Sequence, residues 1–209
     1  MSATLRAEMF SKYYFNCPLI HIEGKMYPVQ TRFLEDVLEK LRFFNFTDNN
    51  LQQRNLPKWK RHTKKFKNQE KTNYEFIEFI EPHIRAMKNH YSRQVLEVLK
   101  NPESEKINLD LIEALIFNIS ENEAPGAILV FLTGYDLISK LHTQLKKSRH
   151  YIDYKYQIYP LHSMMPGIDQ KNIFRLPPNG VRKIILSTNI AETSITIDDV
   201  VYVIDSGKL

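Results

Sequence analysis

The residues best suited to chemistry lie near the end of the chain. There the run Ser187-Thr188-Asn189-Ile190-Ala191-Glu192-Thr193-Ser194-Ile195-Thr196-Ile197-Asp198 follows the apolar stretch Lys183-Ile184-Ile185-Leu186. A buried strand followed by such a loop presents Thr188, Asn189, Thr193, Ser194 and Thr196 within nine positions. Short hydroxyl and amide side chains, with free backbone N–H groups at a short helix start, suit phosphate oxygens. Each hydrogen bond to an ionised acceptor contributes roughly 1.5–3 kcal/mol, so several together can hold a backbone phosphate or sense a nucleotide phosphate. Asp198 is placed to hydrogen-bond a sugar hydroxyl. Ser and Thr also cap ordinary turns, and the chemistry alone leaves the two readings level.

A second candidate is the stretch Lys58-Trp59-Lys60-Arg61-His62-Thr63-Lys64-Lys65-Phe66-Lys67, where basic residues alternate with aromatic ones. It could follow a phosphate backbone while Trp59 or Phe66 stacks on bases. A solvated basic loop is the more ordinary explanation. The net charge of +5 leans mildly toward a polyanionic partner. His21, His83, His90, His142 and His150 have no metal-ligand spacing, and the single cysteine adds no soft ligand, so no zinc site is expected. Cys17 reads as a small buried hydrophobe, and its solitude favours a reducing compartment. The sequence has no apolar run near the roughly 20 residues that span a bilayer.

These residues need a scaffold. Ala127 to Leu132 is a continuous apolar run after Pro125-Gly126, the pattern of a central parallel strand. Tyr156–Leu161, Lys183–Ser187 and Val200–Ile204 supply three more strands. Between the first two lies a helix with Leu137, Ile138, Leu141 and Leu145 on one face. Asp169–Arg175 reads as a short helix before the third strand. Upstream, Asn108 reads as the N-cap of a helix with Leu109, Ile112, Leu115, Ile116 and Ile119 on one stripe. The alternation predicts an α/β fold with a doubly wound, mostly parallel sheet, ligands binding at one edge where the strand-end loops gather. Leu19–Ile22 reads as a buried strand and Thr31–Phe44 as an amphipathic helix. Residues 45–73 read as a basic, partly disordered excursion. Tyr74–Leu99 reads as a helical pattern interrupted near Pro82, closed by Asn101-Pro102.

Ser187 to Asp198 resembles motif V of the DEAH/RHA-type superfamily 2 helicases nearly residue for residue, and Val200-Val201-Tyr202-Val203-Ile204-Asp205-Ser206-Gly207 resembles the strand that follows it. Other pieces occur in family order. Met1-Ser2-Ala3-Thr4-Leu5 resembles motif III, Leu129-Val130-Phe131-Leu132-Thr133-Gly134 motif IV, and Pro160-Leu161-His162-Ser163-Met164-Met165-Pro166 motif IVa. Ile107–Leu115 and Leu34-Glu35-Asp36-Val37 are most similar to the RHAU-like, G-quadruplex-resolving branch. The resemblance is weak only over residues 45–90. Thr133 departs from the pattern, since relatives usually carry proline there, and this puts the rigidity of that loop in question.

The resemblance implies a RecA-like second helicase lobe over residues 29–209, incomplete at its C-terminus, with a variable insertion at about 45–90. Residues 1–28 would be the remnant of a first lobe and its linker. It assigns Ser2 and Thr4 to coupling between lobes, and Phe174, Ser194, Thr196 and Asp198 to the nucleotide, Phe174 stacking on adenine. Gly134, His162, Ser163, Thr188, Asn189 and Thr193 would face the nucleic acid, Thr193 contacting a phosphate. The implied cofactor is ATP with Mg²⁺, held mainly by the first lobe. The implied partners are single-stranded RNA or DNA, including G-quadruplexes, with the first lobe and C-terminal helicase domains in cis, in the cytoplasm or nucleus and away from membranes.

The sequence contains no Gly-x-x-x-x-Gly-Lys-Ser/Thr loop and no Asp-Glu-Ala-His box. Phosphoryl transfer depends on positioning and charge stabilisation, and loss of an arginine finger alone costs on the order of 10³–10⁵ in rate. The 209 residues are therefore expected to be an inactive portion of a longer ATP-dependent helicase. The alternative is a truncated, non-enzymatic nucleic-acid-binding module. A protein-interaction scaffold using residues 74–120 is a third reading.

Overall fold

The computed structural model describes residues 7–20, 27–44, 64–162, 173–188 and 197–208, with main chain alone for 64–73. Four strands, β1 (Ala127–Phe131), β2 (Tyr156–Leu161), β3 (Arg182–Ser187) and β4 (Val200–Asp205), form one sheet in the order β2-β3-β1-β4. Every pairing is parallel, with Ile128 opposite Ile184, Leu129 opposite Val203 and Ile158 opposite Ile184. The expected α/β parallel sheet is present, and each strand lies within a residue of its expected bounds.

Alternation along the strands sends side chains to two cores. On one face Ile128, Val130, Ile184, Leu186 and Ile204 pack against Ile112, Ile116, Ile119, Ile138, Leu141 and Leu145. Those partners come from two long helices, Leu109–Asn122 and Tyr135–Lys147. On the other face Leu129, Leu161 and Ile185 pack on Ile173, with Ile197 alongside. Connections therefore cross both faces. Each fully buried Leu or Ile stabilises the fold by roughly 1.5–3 kcal/mol relative to exposure.

The helices, in chain order, are α1 (Ala7–Tyr13), α2 (Leu34–Leu41), α3 (Lys64–Met87), α4 (Arg93–Leu99), α5 (Leu109–Asn122) and α6 (Tyr135–Lys147). Asn108 caps α5 as its sequence predicts, its side chain accepting from the Leu111 N–H at 3.0 Å. Helices α2, α3 and α4 gather around Leu38, Ile84, Val95, Leu96 and Leu99, and Leu111 of α5 joins this group to the sheet layer. Polar bonds fix its geometry: Asp36 accepts from the Phe33 N–H at 2.8 Å and from the Tyr91 hydroxyl at 2.7 Å. Glu39 accepts from the Ser92 N–H at 2.9 Å, and Lys40 pairs with Glu123 beyond the end of α5.

Four expectations need correction. Leu19 and Ile20 are 54% and 87% exposed and belong to no strand. Their short apolar run pairs with no strand among the described residues; His21 and Ile22 lie outside them. Helix α3 begins at Lys64, ten residues before the expected start at Tyr74, so Lys64–Lys67 are helical rather than loop. It also runs uninterrupted through Pro82, because Pro82 and Glu78 are both exposed and water can satisfy the carbonyl that proline leaves unbonded. Cys17 is only half-buried, its N–H and C=O bonded to the end of α1. Residues 45–63, with the rest of the basic stretch, and most of the expected helix at 169–175 lie outside the described residues.

Candidate functional site

Because the sheet is all parallel, its strands end together, and their carboxyl ends define one edge. Two main-chain bonds lace that edge: the Leu132 N–H donates to the Ser187 carbonyl at 2.8 Å, and the Thr188 N–H to the Leu161 carbonyl at 3.4 Å. The first residues beyond β1, β2 and β3 are thereby held side by side. They include Gly134, His162 and Thr188, three of the residues singled out for the nucleic acid.

Gly134 is the N-cap of α6, with extended backbone at φ −179° and no side chain capping the helix start. A Cβ at this position would meet no atom within 4 Å. Packing among the described residues therefore does not require glycine here, and a glycine N-cap offers no side-chain acceptor to the first N–H groups of α6. The Tyr135 ring, half-exposed, meets the His162 ring edge-on at 4.7 Å. His162 Nδ1 is buried and has no hydrogen-bond partner among the described residues. Ser187 is fully buried, and its hydroxyl donates to the Thr188 carbonyl at 2.7 Å, setting the direction in which the chain leaves β3.

The two described residues assigned to the nucleotide lie elsewhere. Asp198 sits in the turn before β4, and the next residue, Asp199, accepts from the Ala127 N–H at 2.8 Å at the amino end of β1. The run from Thr188 to Asp198 thus starts at the carboxyl edge and finishes at the amino edge, as a crossover between parallel strands must. Thr188, read as facing the nucleic acid, and Asp198, read as facing the nucleotide, therefore stand at opposite edges of the sheet. Phe174 is half-exposed and follows Ile173, which is buried against β1, β2 and β3. Ser2, Thr4, Ser163, Asn189, Thr193, Ser194 and Thr196 lie outside the described residues.

Sequence reasoning missed two cations at the start of β3. Arg182 points to the α5–α6 face and donates to carbonyls at the end of α5. Lys183 points to the other face, where its side chain has no exposure and Nζ lies 2.7 Å from Asp199 Oδ1. Nζ also donates to the carbonyls of Ile173 at 2.7 Å and Arg175 at 3.1 Å. A signal existed: Arg182-Lys183 interrupts the apolar run of a strand that is buried on both faces, where an unpaired charge is costly.

Residues 108–208 match the family described as Helicase conserved C-terminal domain. Over its whole length the chain is 46% identical to the ATP-dependent DNA/RNA helicase DHX36 of Homo sapiens and covers 21% of that protein. It is 44% identical to the DExH-box ATP-dependent RNA helicase DExH1 of Arabidopsis thaliana, again covering all of this chain and 21% of the relative. Against the putative ATP-dependent RNA helicase DHX57 of Homo sapiens the identity is 38%, with 17% of the relative covered. Among solved structures, the E. coli DExH-box NTPase HrpB superposes with a TM-score of 0.42 at 30% identity, over 48% of this chain and 12% of that one. The chain spans about a fifth of the length of the first two relatives, at 21% of each.

Proposed function

We propose, from the match of residues 108–208 to the helicase conserved C-terminal domain and the similarity of the whole chain to DExH-type helicases, that the chain is the second motor lobe of an ATP-dependent RNA or DNA helicase. In this reading the lobe closes over ATP and Mg²⁺ held chiefly by a first lobe. It grips single-stranded nucleic acid through the sugar–phosphate backbone, and each closure advances the strand. Residues 1–28 would be the link from the first lobe, with Ser2 and Thr4 carrying the coupling. One relative's name mentions both DNA and RNA, and the motif sequence resembles that of the RHAU-like, G-quadruplex-resolving branch.

The observation that supports the grip is the start of α6. Gly134 supplies no side-chain cap to the first N–H groups of the helix, at the edge where Thr188 and His162 also emerge. A helix start with free N–H groups attracts phosphate without reading sequence, which is what a translocating lobe requires. Asn189, Thr193 and Ser163 would extend the contact along the strand. Phe174 and Asp198, at the other edge, would meet the base and sugar of the nucleotide, with Ser194 and Thr196 nearer its phosphates.

The test is Thr193→Ala in the full-length protein that carries this chain. Unwinding of a tailed RNA duplex should fall at least tenfold, about the worth of one charge-assisted hydrogen bond, while the circular dichroism spectrum is unchanged. Unwinding at the wild-type rate by a normally folded variant would remove Thr193 from the contact. A truncated, non-enzymatic binding module would instead show salt-sensitive binding with no response to ATP.

A further inference from the structure

The Lys183 ammonium binds the chain neighbours of both described residues assigned to the nucleotide, Phe174 and Asp198. An ammonium has three N–H donors, and all three are used: on the Ile173 carbonyl at 2.7 Å, the Arg175 carbonyl at 3.1 Å and Asp199 Oδ1 at 2.7 Å. Ile173 and Arg175 are the neighbours of Phe174 on either side. Asp199 is the neighbour of Asp198. A single fully buried cation therefore fixes the main chain around the aromatic residue and the turn that carries the acidic one.

The surroundings make this a rigid arrangement. Ile173, 1% exposed, is wedged against Leu129, Leu161 and Ile185, so the chain entering Phe174 cannot slide along the sheet. The Asp199 carbonyl is tied to the Ala127 N–H, so the turn before β4 is pinned to β1. In the ladder Lys183 precedes Ile184, the partner of Ile128, which sets it level with Ala127. Ala127 is buried, and its methyl side chain leaves Lys183 room to reach from β3 toward the turn before β4. Phe174 and Asp198 themselves are exposed, and the Lys183 bonds fall on their neighbours in the chain.

We propose that Lys183, paired with Asp199, is a positioning residue for nucleotide binding, holding the Phe174 ring and the Asp198 carboxylate at the spacing that the base and sugar of one nucleotide require. This rests on the reading of Phe174 and Asp198 as nucleotide contacts. Lys183 touches no nucleotide. It sets the distance between two groups that do, and so removes the ordering cost that binding would otherwise carry.

The test uses the full-length protein, a fluorescent ADP analogue and a single-stranded RNA oligonucleotide. Lys183→Met with Asp199→Asn removes the anchor without leaving a charge buried. Stacking on a base is worth roughly 1–3 kcal/mol, so Phe174→Ala should weaken ADP-analogue binding on the order of tenfold. The double variant should approach the same loss, with RNA affinity changed less than about twofold, since the nucleic-acid edge is far from the anchor. In a Phe174→Ala background, removing the anchor should cost clearly less than in the wild type, because only the part of its effect that passes through Asp198 remains. General loosening of the fold would instead add its cost undiminished in both backgrounds and would weaken RNA binding too, and either result overturns the proposal. Normal ADP-analogue affinity in the folded double variant, beside a tenfold loss in Phe174→Ala, also overturns it and leaves the nucleotide reading standing. Normal affinity in Phe174→Ala removes that reading itself. Should the double variant fail to fold, Asp199→Asn alone keeps shape and an acceptor for the ammonium. Its smaller loss should likewise shrink when Phe174 is absent, and a loss of undiminished size there refutes the anchor.

Discussion

Replacing Arg182 by methionine should loosen the end of α5 by about a hundredfold in local opening. Arg182 is 9% exposed, and its guanidinium covers carbonyls at the end of α5, where Glu123 is the C-cap. Nη1 donates to Ala124 O at 2.8 Å and Gly126 O at 2.7 Å, and Nη2 to Glu123 O at 3.1 Å. Two longer bonds, to Ile119 O at 3.3 Å and Ser120 O at 3.4 Å, reach carbonyls of the last helical turn. The Tyr202 ring supports the guanidinium at 5.6 Å, and its hydroxyl donates to the Ala124 carbonyl at 3.0 Å. Charged hydrogen bonds contribute roughly 1.5–3 kcal/mol each, but water can replace part of this at the half-exposed carbonyls. A cation at a helix C-terminus adds roughly 0.3–1 kcal/mol. A net loss of about 3 kcal/mol follows, equivalent to about a hundredfold at 1.4 kcal/mol per decade. Hydrogen exchange followed by mass spectrometry on the full-length protein reads this directly in peptides spanning the end of α5 and the start of β1. Arg182→Lys should lie between, since lysine has three donors and no planar fork. Exchange in Arg182→Met within about threefold of wild type would refute the reasoning, because it would mean that water replaces the guanidinium at almost no cost.

Two further outcomes are expected of the fold. The Asp36 carboxyl is held below its ordinary value chiefly by the bond from Tyr91, and that same bond pushes the Tyr91 hydroxyl up to about 12 from 10.0. A depressed acid loses its stabilisation as pH falls through its folded pKa, and a raised phenol loses its own as pH rises from about 10 toward about 12. The difference in urea midpoint between wild type and Tyr91→Phe should therefore be constant at neutral pH and shrink below about pH 4 and above about pH 10; a gap that persists at both extremes would show that the bond is not its source. Gly126→Ala should destabilise by roughly 1–3 kcal/mol through backbone strain. Its φ is +151°, and a Cβ would stand 2.5 Å from Val201 Cγ2 and 2.7 Å from Val201 Cβ. A thermal melt at the wild-type temperature would mean that β4 shifts freely at that point.

What the sequence made legible follows from where the information lies. The strands β1 to β4 are short apolar runs set off by turns, and Asn108 precedes a helical stripe, so local pattern suffices for both. Leu19–Ile20 has the same local pattern without a neighbouring strand among the described residues, and a period cannot report a missing partner. The separation of Thr188 from Asp198 is a property of the crossover, visible only once β3 and β4 are known to be parallel with β1 between them. Arg182 and Lys183 were hidden for a related reason. Their acceptors are main-chain carbonyls and one distant carboxylate, which no side-chain spacing advertises. The resemblance to helicase motifs named Phe174 and Asp198, but the structure was needed to reveal what holds them.

The most direct measurement is ATP hydrolysis by the full-length protein that contains this chain, with and without single-stranded RNA. A second motor lobe that grips nucleic acid and closes over ATP predicts hydrolysis stimulated severalfold by RNA, with the stimulation lost in Gly134→Asp, whose side chain fits the extended backbone and the space at the start of α6 and would repel a phosphate there. Hydrolysis that ignores nucleic acid, or RNA binding by a full-length protein that never responds to ATP, would contradict the account.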